Sequence, residues 1–344
     1  MSSDQQTNRP RAYAVLCGGG TKAAALAGCV KAAQEYFDFQ GYGGTSAGSI
    51  IALLAAAGYA GSEWDRLIGR KISEVLPWWS WLITLVLEPP LSTVRIVGWG
   101  SKFLFRLLLG GPFLLLVAWL LVFRAGVFST SKLQRKLHER MFEVNPTLRD
   151  EATARRGSIT FREFQACCDK DGQTGKGCKL VKMVTADVWH RRPIVYSVPD
   201  SWAETQVATG AAASSAYPFV FRPVRDQGAE FLDGGLASNL PVFIFDRERE
   251  EDNAFLIAFN LIPSGVRRRP LRGPVSLTRE VVGTAIDAHD ELLRGLRRGM
   301  FIYVPVEIPS KFPTFRFRLR DDERKELLKI GYDAAKEVLD PLLA

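Results

Sequence analysis

The chain has 344 residues, 47% of them hydrophobic and 24% charged, and 45 Lys+Arg against 37 Asp+Glu leave a formal net charge of +8. That apolar content excludes wholesale disorder, and the length leaves room for one large domain or two small ones. The positive balance suits an anionic membrane or a nucleic acid, but no helix-turn-helix, zinc-finger or RNA-binding pattern accompanies it, so no nucleic-acid polymer is expected as a partner.

Residues 1–10 are polar and read as a disordered tail, and the apolar run after them is too short for a secretory h-region. A strand is predicted over Ala12–Cys17, followed by the loop Gly18-Gly19-Gly20-Thr21-Lys22 and a helix from Ala23 to about Phe39. A short strand near Gly41 leads into Gly44-Thr45-Ser46-Ala47-Gly48, and an apolar helix follows over Ser49–Ala57. Residues 74–124 form an insertion with two apolar stretches, Val75–Leu87 and Phe103–Phe123. Downstream, Lys179–Ala186 and Arg192–Val198 read as strands, and Ala203–Ser215 as an alanine-rich helix. Asp233-Gly234-Gly235 follows the apolar pair Phe231-Leu232. Ala254–Leu261 is a continuous apolar run, as in a strand buried on both faces. Thr278–Arg298 has helical spacing, Phe301–Glu307 reads as a strand and Asp321–Leu339 as a closing amphipathic helix. The alternation predicts an α/β fold with a mainly parallel central sheet and helices on both faces.

The five residues around Ser46 spell G-x-S-x-G. A serine on a tight strand-to-helix turn has its oxygen thrust outward, and the positions two before and two after pass so close that glycine is favoured there. Three motifs in order, the glycine loop, G-x-S-x-G and D-G-G, resemble the patatin-like phospholipase family. The stretch Asp233-Gly234-Gly235-Leu236-Ala237-Ser238-Asn239-Leu240-Pro241 is similar to the family's D-G-G-x-x-x-N-x-P. Ala211–Pro218 resembles its small-residue helix, and Gly126–Ser131 the segment that re-enters its core. The resemblance spans residues 12–262. One departure is Ala23, where the family usually has glycine after the basic residue. The resemblance implies a three-layer patatin-like fold over residues 11–344, with the 74–124 insertion as a cap or membrane contact and 263–344 as a basic extension packed on the core.

It also implies a catalytic dyad of Ser46 and Asp233 rather than a triad. A serine hydroxyl needs a base, and none of His138, His190 and His289 sits in a motif expected to meet the turn. A carboxylate is a weak base in water, and burial beside Phe231 and Leu232 raises it. Gly18, Gly19 and Gly20 carry unobstructed N–H groups at the start of a helix and, with Ala47, are expected to form an oxyanion hole. Gly44, Gly48, Gly234 and Gly235 are expected to serve the turns themselves. Lys22 either binds a phosphate headgroup or caps its loop. The spacing does not fit a nucleotide-phosphate loop, and no metal or organic cofactor is expected.

The expected reaction is therefore phospholipase A-type hydrolysis of glycerophospholipid esters through an acyl-enzyme. A soluble carboxylesterase or thioesterase, and a catalytically silent membrane-binding protein, remain alternatives. Within the insertion, Leu107–Phe123 has no charge and only the break Gly110-Gly111-Pro112. A single crossing would put Ser46 and Asp233 on opposite sides of a bilayer. The insertion, with Trp78, Trp79, Trp81, Trp99 and Trp119 and flanking cations, is thus expected to seat at the interface or form a lid. Five cysteines, with Cys167 and Cys168 adjacent, and no C-x-x-C pair predict free thiols in a cytoplasmic, peripherally membrane-associated protein. The arginines of the tail, among them Arg267-Arg268-Arg269, read either as a solvated face or as attraction to an anionic headgroup or regulator. By family analogy alone that regulator includes a cyclic nucleotide.

Overall fold

The computed structural model describes residues 9–69, 125–154, 157–171, 178–199, 201–265, 299–312 and 319–343, with scattered positions between 280 and 297. The predicted insertion at 74–124, most of the predicted helix at 278–298 and the Arg267-Arg268-Arg269 run lie outside the described residues.

Strand β1 (Arg11–Leu16) is central, with β2 (Asp38–Thr45) parallel on one side and β9 (Phe255–Pro263) parallel on the other. Beyond β9 lies β10 (Ile302–Ile308), and beyond β2 lies β4 (Leu180–Asp187), both again parallel. Five parallel strands thus form the frame. The short strands β5 (Arg192–Tyr196), β7 (Val224–Asp226) and β8 (Ala229–Asp233) add antiparallel pairs at the β4 side. A separate pair joins β3 (Gly126–Phe128) to β6 (Phe219–Phe221).

Side chains alternate across a strand, so β2 shows which elements lie on each face. Tyr42 points toward α1 (Ala23–Ala33), where its hydroxyl accepts from Gln34 Nε2 at 3.1 Å; the same glutamine accepts from Trp64 of α3 (Ser62–Gly69). Gly41 and Gly43 face the other way, where Ile244 and Phe245 press against them and Phe245 stacks on Tyr13 with ring centroids 4.8 Å apart. Helix α2 (Ala47–Ala56) is apolar almost all round and buried accordingly. Helices α4 (Ser131–Val144), α5 (Pro146–Ala154), α6 (Phe161–Asp171), α7 (Val207–Ser214) and α8 (Asp246–Glu251) complete the shell. The closing helix α9 (Asp321–Leu343) starts with Asp321, Asp322 and Glu323 at its positive end and buries Leu327, Leu328, Ala335 and Leu339 at helical spacing. The architecture is the expected three-layer α/β fold. Cys17, Cys29, Cys167 and Cys178 are buried, and no disulfide joins them.

At two helix boundaries tertiary hydrogen bonds override the sequence reading. Helix α1 stops at Ala33, not near Phe39, because Asp38 and Phe39 pair with Arg11 and Ala12 in the sheet. Sheet pairing overrides local helical spacing there. Helix α7 begins at Val207, not Ala203, because the carbonyls of Ala203 and Thr205 accept from Arg162 and Phe161 at the start of α6.

Candidate active site

Strand β4 acts as a ruler that brings the two motifs together. Its edge opposite β5 is shared by β2 and β8, so that Thr45 lies opposite Val184 and Asp233 opposite the next residue, Thr185. The residue after Thr45 is Ser46, and its Oγ donates to Asp233 Oδ2 at 2.6 Å. Residues nearly two hundred positions apart thus meet because two strands end at adjacent rungs of one ladder.

Ser46 has φ 53° and ψ −123°, a conformation that costs a non-glycine residue on the order of 1–3 kcal/mol and persists only when its surroundings hold it. Those surroundings are a set of hydroxyls. The Ser46 N–H donates to Ser214 Oγ at 2.9 Å, and Ser214 Oγ donates onward to the Val184 carbonyl at 2.6 Å. The Ser46 carbonyl accepts from Ser49 Oγ at 2.7 Å and Ser215 Oγ at 3.2 Å, as well as from the N–H groups of Ser49 and Ile50 in α2. Thr45 Oγ1 donates to the Ser238 carbonyl at 2.9 Å. A β-carbon on Gly44 or Gly48 would stand 2.6 Å or 2.4 Å from the Leu16 carbonyl oxygen, which is why glycine flanks the turn on both sides.

Asp233 is 4% exposed. Its Oδ1 accepts from the Gly235 N–H at 2.8 Å, which shapes the turn after β8. Burial pushes its carboxyl from 3.8 to about 6, and the hydrogen bonds from Ser46 and Gly235 pull in the opposite direction. Gly234 passes the Val184 carbonyl so closely that a β-carbon would stand 2.0 Å away.

The glycine loop borders Ser46: a β-carbon on Gly18 would lie 3.3 Å from Ser46 Cβ and 2.4 Å from Asn239 Oδ1. The expected four-donor oxyanion hole needs one correction. The Gly18 N–H donates to the Asn239 carbonyl at 3.1 Å, which removes it from the open donors and fastens the loop to the D-G-G segment. The N–H groups of Gly19, Gly20 and Ala47 have no acceptor among the described residues. Gly20–Lys22 forms a single tight turn, with Gly20 at φ 56° and the Lys22 N–H donating to Gly19 at 3.2 Å. Ala23, at φ −49° and ψ −30°, is ordinary right-handed helix, so glycine is unnecessary at this position.

A sequence model of the patatin-like phospholipase family matches residues 14–246. This chain belongs to that family. The patatin-like chain is accordingly a lipid hydrolase. It is 25% identical over 333 residues to the uncharacterized protein YqhO of Bacillus subtilis (strain 168), covering 92% of this chain and 94% of that one. Its fold is similar to that of VipD from Legionella pneumophila, with a TM-score of 0.53, 16% identity, and 97% of this chain matched to 67% of the other. A chain of the ExoU–SpcU complex from the Pseudomonas aeruginosa type III secretion system aligns with a TM-score of 0.48 and 19% identity; 97% of this chain covers 52% of that one.

The patatin-like site contains no described histidine. His138 lies in α4 against Phe142 with ring centroids 5.6 Å apart, and His190 pairs with Asp187 on a hairpin. His289 is outside the described residues. Among the described residues no helix is long and apolar enough to cross a membrane. The sequence points to Ser46 and Asp233 but gives no role to Ser49, Ser214 or Ser215, whose hydroxyls hold the Ser46 backbone, or to Asn239, whose carbonyl holds Gly18. Ser214, Ser215 and Asn239 fall inside stretches whose small-residue pattern was recognised, yet only the fold shows what their side chains touch.

Proposed function

We propose that this patatin-like chain is a phospholipase A-type acyl hydrolase in which Ser46 is the nucleophile and Asp233 its base. The observation that supports it is the 2.6 Å contact from the Ser46 hydroxyl to a buried carboxylate, made at a turn that thrusts the hydroxyl outward. With the carboxyl raised to about 6, Asp233 is mostly ionised at neutral pH and a far better proton acceptor than an aqueous carboxylate.

Ser46 Oγ attacks the ester carbonyl while its proton passes to Asp233 Oδ2. The oxygen of the tetrahedral intermediate turns toward the N–H groups of Gly19, Gly20 and Ala47, which point from a loop and a helix N-terminus. The C–O bond to the glycerol breaks, and the lysophospholipid leaves with the proton from Asp233. Water then attacks the acyl-enzyme, gives its proton to Asp233, and the fatty acid departs as Ser46 regains a hydrogen. No step calls for a metal or an organic cofactor. We further assign lipid-surface contact to the 74–124 insertion, from its apolar runs and tryptophans, and a headgroup contact to Lys22.

The test is the product profile from mixed phospholipid vesicles. Wild type is expected to release fatty acid and lysophospholipid, whereas Ser46→Ala and Asp233→Ala each lose nearly all release, since nucleophile and base act as a unit. His138→Ala and His190→Ala are expected to keep it. A folded histidine variant as inactive as Ser46→Ala would replace the dyad with a triad. Hydrolysis of a short monomeric ester with none of phospholipid would make the protein a carboxylesterase.

A further inference from the structure

The β4–β5 hairpin presents an indole ring to solvent at the edge of the sheet that carries Ser46 and Asp233. Trp189 is 73% exposed and its neighbour Val188 36%. The turn beneath them is tightly built. The buried Asp187 accepts from the Trp189 and His190 N–H groups at 3.1 and 3.2 Å through Oδ1, and meets His190 Nδ1 at 2.7 Å through Oδ2. Arg191, at φ 53°, closes the loop, and Asp187 opposite Arg192 is the last rung. The ring is therefore held out by a preformed turn.

The indole N–H donates to Glu230 Oε2 at 3.3 Å, and the other oxygen of Glu230 accepts from Arg225 Nε at 2.7 Å. This tethers the polar end of the ring and leaves its apolar body open. Arg191 and Arg192 are exposed, and neither has a carboxylate partner among the described residues. Within the hairpin, Arg191 and Arg192 stand against the single carboxylate of Asp187.

The hairpin also sits at the right level. Asp233 lies opposite Thr185 and Phe231 opposite Asp187. The base of the hairpin is thus two residues, about 7 Å, beyond Asp233 toward the end of the sheet where Ser46 stands, and Trp189 is farther out. An exposed tryptophan flanked by unpaired arginines is the composition of an interfacial anchor. A protein docked on this rim would stand over the reacting pair, whereas a bilayer there delivers the substrate to it.

We propose that the Val188–Arg192 hairpin is an interfacial anchor that inserts Trp189 among the headgroups of an anionic bilayer and sets the depth at which Ser46 meets an ester. The proposal rests on the reading of the site as one that acts on membrane phospholipid. Sedimentation with vesicles of phosphatidylcholine, with and without phosphatidylglycerol, tests it in a Ser46→Ala background, where binding is read without turnover. Adding Trp189→Ser is expected to weaken binding about tenfold, the scale of one large apolar side chain withdrawn from a nonpolar surrounding, whereas Trp189→Phe keeps most of it. Arg191→Ser with Arg192→Ser is expected to reduce binding only where phosphatidylglycerol is present, and the difference should vanish at high salt. With Ser46 intact, Trp189→Ser is expected to lower hydrolysis of vesicles and leave that of a short monomeric ester unchanged. Wild-type binding by Trp189→Ser would overturn the proposal and leave the exposed indole to a protein partner. Loss of monomeric ester hydrolysis in unaltered protein would instead count against the assignment of the reacting pair.

Discussion

At the scale of the residue, the proposed role of Asp233 as base places catalysis and stability in opposition. Its carboxyl is raised by burial from 3.8 to about 6, so the folded chain holds that proton more tightly than the unfolded one. The sign follows: the stabilising contribution of the neutral acid is complete below about 4 and is lost as the pH rises through about 6. Hydrolysis needs the ionised form and should rise through the same interval to a plateau. Asp233→Asn removes the charge while keeping the shape. It is expected to lower kcat by about 10²–10⁴-fold, the range for a lost general base. At pH 8 the same variant should be more stable to urea by about 2–3 kcal/mol, the linkage value of a two-unit shift, with the gap closing toward pH 4. An equal gap at both pH values would show that burial does not raise the carboxyl above its ordinary range. Gly19→Val tests the loop. The added carbons meet the tip of Leu261, 2.4 Å from a β-carbon position, a flexible end that can shift. Turnover is expected to fall by roughly 10²–10³-fold, as for a displaced oxyanion donor, with the urea midpoint little changed. At this scale Ser46 and Asp233 were legible because their neighbours must be small for steric reasons that show directly in the letters. The hydroxyl clamp was not. Ser214 looks like any serine in an alanine-rich helix until Val184 and Ser46 stand on either side of it.

At the scale of the element, the strands were read well wherever a continuous apolar run entered the centre of the sheet, as in β1, β4 and β9. The short strands β6, β7 and β8 were not assigned, because three to five residues carry too little periodicity, and β6 and β8 take their places from the distant partners Phe128 and Thr185. Boundaries failed where tertiary hydrogen bonds competed with helix spacing, at Phe37–Phe39 and at Ala203–Thr205. The contact of α1 with α9 was also hidden. A β-carbon on Gly28 would stand 2.0 Å from the Leu328 carbonyl oxygen, and one on Gly331 1.8 Å from the Ala25 carbonyl oxygen. Each helix supplies the notch for the backbone of the other. Around the notch, Tyr332 donates to Glu35 at 2.7 Å and Tyr36 donates to Asp340. Gly28→Ala is expected to destabilise by about 1–3 kcal/mol, the usual range for overpacking, because backbone rather than a side-chain tip must move. An unchanged midpoint in urea would mean that the two helices can separate without loss.

At the scale of the whole molecule, α9 packs on α1, the helix that follows the glycine loop. Arg324 of α9 donates to the Ile68 carbonyl at 2.7 Å and the Gly69 carbonyl at 3.3 Å, closing the last turn of α3 where the insertion begins. A chain ending at Leu319 keeps Ser46, Asp233 and every motif of the family, yet it is expected to lose hydrolysis of vesicles and of a short ester alike, with a collapse in protease resistance. Retention of either activity would show that α9 is dispensable to the loop. The same contact sets an order in time. Ribosomes deliver the glycine loop about three hundred residues before α9, and domains begin to form from the N-terminus as they emerge. While α9 is still unmade, the notch at Gly28 faces water and the helix behind the loop is unsupported. Until α9 emerges, a nascent copy therefore lacks the brace behind its glycine loop.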